Sequence, residues 1–173
     1  MSARTLLAVC CALVPGVAAP GAGAEVPVAP PGLPDVVEET VGPLGPPVTG
    51  SGAEPAMVEA VNRARAARGL GPLHPSGALN RSAHRYAAWM LREDWFGHLS
   101  RIRAGGDFER IGEALSLHHG RRARVRRTVR AWLRSPAHRA LLLSRGFRAV
   151  GAGHAIGFYG SRRATTWVLH FGA

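Results

Sequence analysis

The chain has 173 residues, with 22 basic against 11 acidic side chains and a formal net charge of +11 at pH 7. All the basic side chains are arginine, so a Walker phosphate loop and a lysine Schiff base are excluded. The charge is concentrated in residues 54–173, where 21 arginines face 7 acids. Such a surface favours anionic partners, namely phospholipid headgroups, teichoic acids or nucleic acids. A compositional habit rich in Ala, Gly, Pro and Arg accounts for it equally well.

Residues 1–24 read as a secretory signal peptide: Arg4 begins it, Thr5 to Val14 is a short apolar run, and Ala22-Gly23-Ala24 is a small-x-small cleavage pattern before Glu25. The run is too short to span a bilayer. Secretion to the extracellular space is the expected outcome, in preference to a lipid anchor at Cys10. Cys10 and Cys11 both lie in this segment, so the mature chain is expected to be cysteine-free, without disulfides, thiolate zinc sites or cysteine nucleophiles. Residues 25–53 are dense in Pro, Gly and Val and lack helix or strand periodicity. They are expected to form a disordered linker.

From Glu54 the pattern changes. Met57, Val58, Val61, Ala64 and Ala67 predict a first helix, stopped by Gly69. Turns at Gly71-Pro72 and His74-Pro75 follow, and Ser76 caps a second helix with the face Leu79, Ala83, Tyr86, Ala87 and Met90. Ile111 to Leu117 reads as a short strand. His118 and His119 then fall in an exposed loop with Gly120. Val125, Val129, Trp132 and Leu133 predict a third helix, with Arg126, Arg130 and Arg134 on its opposite face as a basic surface.

A fourth helix runs from Pro136 to Leu143 and ends at Gly146. Its start is the most informative stretch, Trp132 to Arg139. Ser135 is placed to cap the helix through its hydroxyl and Pro136 takes the first helical position. His138 then lies near the positive end of the dipole, which favours a neutral imidazole. Phe147 to Phe158 and Ala164 to Phe171 predict a closing hairpin around Tyr159-Gly160-Ser161-Arg162. On the last strand Trp167 alternates with Leu169 and Phe171 as a buried face. His154 and His170 are expected to face each other across the hairpin. Trp89, Trp95 and Trp132 read as core. Helices followed by an antiparallel hairpin indicate an α+β domain over residues 54–173.

His98, Glu113 and His138 form the candidate constellation. Two imidazoles and a carboxylate suit a cation such as zinc, with water in the fourth position. The same groups could instead relay protons, or serve as hydrogen-bonded structural residues.

Asn62-Arg63-Ala64-Arg65, Gly69-Leu70-Gly71-Pro72-Leu73, Phe96-Gly97-His98, Gly112-Glu113, Trp132 to Arg139, Val150-Gly151-Ala152-Gly153 and the terminal Trp167 to Gly172 occur in an order that resembles the CAP superfamily. That superfamily comprises the cysteine-rich secretory, antigen 5 and pathogenesis-related 1 proteins. The resemblance is to its short, cysteine-poor bacterial SCP-domain branch. It implies a three-layer α-β-α sandwich with a central antiparallel sheet, a central cavity and extracellular placement. It also matches His98 and His138 to the two cavity histidines and Glu113 to the first cavity glutamate. The second cavity glutamate is replaced by Ser135, and Ala114 stands where an asparagine is usual. Three of four cavity groups remain, enough for weak zinc binding.

The leading expectation is a secreted, monomeric binding module for a lipid or anionic cell-envelope component, by analogy with lipid- and sterol-binding members. Enzymatic activity is left open: a metal-assisted or general-base hydrolase would use the same cavity, although neither a Gly-x-Ser-x-Gly elbow nor a His-Glu-x-x-His helix is present. The third alternative is an unspecific polyanion binder, since no motif for reading nucleic acid is present.

Overall fold

The computed structural model describes residues 5–8, as backbone, together with 52–98 and 101–173. The cleavage pattern, Cys10, Cys11 and nearly all of the expected linker lie outside the described residues. The elements are β1 (Thr5–Ala8), α1 (Ala53–Ala66), β2 (His74–Pro75), α2 (Gly77–Arg92), β3 (Arg110–His119), α3 (Val125–Arg134), α4 (Pro136–Leu142), β4 (Ala149–Tyr159) and β5 (Arg162–Gly172). None of the described helices is long and apolar enough to cross a membrane.

The strands form one sheet in the order β1-β3-β5-β4-β2. Its centre, β3-β5-β4, is antiparallel as expected, but both edges are parallel: β1 beside β3 and the two-residue β2 beside β4. The sheet is therefore mixed. β1 lies inside the segment read as a signal peptide, so this pairing belongs to the uncleaved chain.

Period-two alternation on β3, β4 and β5 divides the core between two layers. On one face Ala114, Val150, Ala152, Trp167, Leu169 and Phe171 pack with Met57 and Val61 of α1, Val129 and Trp132 of α3, and Leu141 and Leu142 of α4. On the other face Leu115 and Val168 pack with Ala83, Tyr86, Ala87, Trp89 and Met90 of α2. This is the α-β-α sandwich. At the boundary of the first layer Trp132 also donates its indole N–H to the Leu115 carbonyl at 2.9 Å, tying α3 to β3.

The glycines of Val150-Gly151-Ala152-Gly153 follow from the approach of α2 to β4. A Cβ on Gly151 would stand 2.1 Å from the Leu79 carbonyl carbon, and one on Gly153 would stand 2.2 Å from the His84 nitrogen. Contact at that range is with backbone, which cannot swing aside as a side chain can. Asn80 reaches across the same junction and accepts the Ala152 N–H at 2.9 Å. Asn62 exchanges two hydrogen bonds of 2.9 Å with Leu73, fixing the turn after α1.

β3 extends two residues beyond the expected strand, through His119, because β5 continues to pair with it. His118 and His119 are thus strand residues and half-buried, not loop residues in solvent. His118 donates from Nε2 to the Arg122 carbonyl at 2.7 Å. Its pKa is lowered by burial, an effect this bond partly offsets and the charges of Arg124, Arg127 and His119 reinforce.

Candidate functional site

Glu113 is the centre of the site. It lies on β3 directly opposite His170 of β5, on the α2 face of the sheet. His170 donates from Nε2 to Glu113 Oε2 at 2.9 Å, and His98 donates from Nδ1 to Oε1 at 2.6 Å. A carboxylate only accepts, which sets the direction of both bonds. The Glu113 side chain is 1 % exposed. Burial by itself would raise its pKa, but the hydrogen bonds from His170 and His98, with their charges, hold it below the usual carboxylate value. His98 follows α2 through a turn in which Tyr86 donates its hydroxyl to the Gly97 carbonyl at 2.6 Å. Tyr86 also stacks on His170.

His138 enters from α4 and is fully buried, stacked against Trp132. Its pKa is lowered to about 4 by burial and by the nearby charge of His98, so the ring is neutral near pH 7. The neutral imidazole expected from the helix dipole is present for two different causes, burial and a neighbouring imidazole. Ser135 does begin α4, with extended backbone and Pro136 behind it, but its hydroxyl makes no cap bond. It shares a 3.0 Å hydrogen bond with His138 Nδ1 instead. The imidazole three residues on competes for the hydroxyl and wins. His138 Nε2 is buried and has no hydrogen-bond partner among the described residues.

His98, Glu113 and His138 therefore belong to one neighbourhood, but not as three ligands around a point. Glu113 uses both oxygens to hold imidazoles, which makes it an orienting group. Among the described residues no three His, Cys, Asp or Glu side chains are arranged to hold a metal ion. A donor set reduced to two imidazoles falls short of the three protein ligands of catalytic zinc sites. The residues in this arrangement do not fit a resident zinc. They do fit proton handling: a carboxylate that fixes the tautomer of His98 is the orienting half of an acid–base pair.

His170 is the member that sequence reasoning missed as a site residue. The expected contact between His154 and His170 is also absent. The register pairs His154 with Trp167 and His170 with Gly151, which sends the two rings to opposite faces. His154 instead stacks on Trp167 and bonds to Glu54 Oε1 at 3.0 Å, while His84 lies 3.4 Å from the same oxygen. Arg126, Arg130 and Arg134 lie along α3 away from its buried face, as their spacing requires. Arg122, Arg124, Val125, Arg126 and Arg127 line a groove of about 560 Å³ at the start of that helix.

Among solved structures the chain resembles an outer surface protein of Borrelia burgdorferi (20% identity, TM-score 0.55, covering 68% of this chain and 90% of that one). It also resembles an extracellular SCP-domain protein of Bacillus anthracis (20% identity, TM-score 0.56), covering 70% of this chain and only 40% of that longer one. A third similar fold is the venom allergen-like protein 4 of Schistosoma mansoni (15% identity, TM-score 0.57, covering 70% and 88%). No curated protein matches the chain. At such identities these likenesses show the fold alone. The profile of the cysteine-rich secretory protein family matches residues 58–171, and with the sandwich in place the chain belongs to that family, the CAP family.

Proposed function

We propose that the protein is a secreted binding module for a lipid or anionic cell-envelope component, attracted through the arginine face of α3. The observation that carries this reading is the row Arg126, Arg130 and Arg134 beside the arginine-lined groove at the start of the helix. The opposite face of α3 buries Thr128, Val129 and Trp132, so the arginines can act on a partner without disturbing the core. Secretion is supported by the signal-like residues 1–24 and by the outer-surface and extracellular descriptions of similar proteins. The test is co-sedimentation with phosphatidylglycerol vesicles. The triple variant R126S/R130S/R134S should bind less at low salt, and equal binding would overturn the reading. Equal affinity for a soluble polyphosphate would favour the unspecific polyanion reading.

A general-base hydrolase is the second reading, favoured by the Glu113–His98 bond and by the contact between Ser135 and His138. Here the Ser135 hydroxyl is the candidate nucleophile with His138 on it as base, and Glu113 orients the neighbouring His98. Hydrolysis of activated esters that H138N and S135A each abolish would establish it. Turnover unaffected by both would end it.

A further inference from the structure

Among the described residues, the large apolar side chains left in solvent are Ile156 and Phe158, 45% and 51% exposed. Both stand near the tip of the β4–β5 hairpin. The register places Ile156 opposite Thr165 and Phe158 opposite Arg163, so they share the sheet face that carries α3. The segment leading into α3 crosses that face beside them. The Gly120 N–H donates to the Arg163 carbonyl at 2.8 Å, and Thr165 donates its hydroxyl to the Gly120 carbonyl at 2.7 Å. Trp167 donates its indole N–H to the Ala123 carbonyl at 2.6 Å. The two apolar side chains therefore share their face with Arg163, whose guanidinium stands 4.4 Å above the Phe158 ring, and with the segment that runs from Gly120 into Arg121 and Arg122, whereas Arg162 alternates to the other face.

We propose that this hairpin tip is the membrane-inserting part of the protein: Ile156 and Phe158 enter the interfacial region of an anionic bilayer while the flanking arginines engage its headgroups. The inference rests on the lipid reading above and names the surface that makes the contact. An apolar patch inside a basic rim matches the chemistry of an interfacial anchor, which combines apolar burial with attraction to anionic lipid. A soluble polyanion would use the arginines and leave Ile156 and Phe158 in water. A second copy packed symmetrically on the patch would bring each arginine rim against its own equivalent, and like charges there oppose association. Charge thus selects the bilayer over self-association.

The experiment compares the parent protein with I156S/F158S, in the form in which it is isolated, by co-sedimentation with phosphatidylglycerol–phosphatidylcholine vesicles at low and high salt. The double variant should partition about tenfold less at both salt concentrations, since apolar burial is not screened. R121S/R163S should weaken binding chiefly at low salt. Amide exchange in residues 156–163 should slow when vesicles are added, a readout that needs no variant. Unchanged partitioning of I156S/F158S, or unchanged exchange, would overturn the hairpin proposal while the α3 arginine reading stands. Failure of the parent to bind any vesicle would overturn both. A concentration-dependent dimer that I156S/F158S abolishes would assign the patch to self-association and refute the proposal.

Discussion

Acidification offers a direct measure of how His138 is held. An imidazole in the unfolded chain titrates near 6.5, whereas burial and the charge of His98 lower the folded value to about 4. Between these values the unfolded state binds a proton that the folded state refuses. Stability must then fall as pH falls through that window. The gap of roughly 2.5 units, at about 1.4 kcal/mol each, makes the full loss about 3 kcal/mol. Glu113 acts in a different window, because its folded pKa is lowered: its stabilisation is present above the unfolded carboxylate value and is lost only as pH falls further. The two effects separate along the pH axis. Urea unfolding in steps from neutral pH toward pH 4 measures the slope for the parent and for His138→Gln. The parent should lose more with acid than the variant, by up to about 1.4 kcal/mol per pH unit for one proton. His118, also lowered, is present in both proteins and cancels in the difference. Parallel slopes would refute the reasoning, since they would mean that His138 takes up its proton without unfolding.

Gly153→Ala should destabilise by at least about 1–3 kcal/mol in urea unfolding, as overpacking against the α2 backbone requires; a neutral effect would mean that α2 can retreat from β4. Glu113→Gln should cost about 3 kcal/mol, because its amide cannot accept at both ends from the imidazoles of His98 and His170. Nitrogen chemical shifts should show both rings changing together, and a change in only one would contradict the shared carboxylate. On anionic vesicles R126S/R130S/R134S should lose roughly a hundredfold in affinity at low salt, from about 1 kcal/mol per arginine, and little at high salt. Added zinc should raise the Tm by only about a degree at neutral pH, as a two-imidazole donor set allows, and His138→Ala should remove that gain. A large rise that disappears in Glu113→Gln would show that the carboxylate turns to become a ligand.

The helices were legible because their apolar spacing is local: Leu79, Ala83, Tyr86 and Met90 lie on one side of α2 whatever surrounds them, and all four are buried. Trp167, Leu169 and Phe171 were equally readable, since alternation on a strand needs no partner. The arginine face of α3 followed from the same geometry. His98, Glu113 and His138 stood out by their chemistry, and the resemblance matched them to cavity positions, but no spacing joins three separate elements.

What remained hidden was decided by pairing. Whether His170 meets His154 or Glu113 depends on the register of β5 against both neighbours, and a strand carries no mark of which residue will stand opposite which. That register put His170 beside Glu113 and turned His154 toward Glu54, while His98, from the turn after α2, took the other carboxylate oxygen. The hydroxyl of Ser135 likewise had a good local reason to cap α4, and a neighbouring imidazole in the folded chain displaced that bond. The amino-acid order determined the elements, their buried faces and the charge on α3, because those depend on side-chain periodicity within a few turns. Tertiary structure alone decided the partners of each buried polar group, because a hydrogen bond is a contest among all the groups that folding brings within about 3 Å.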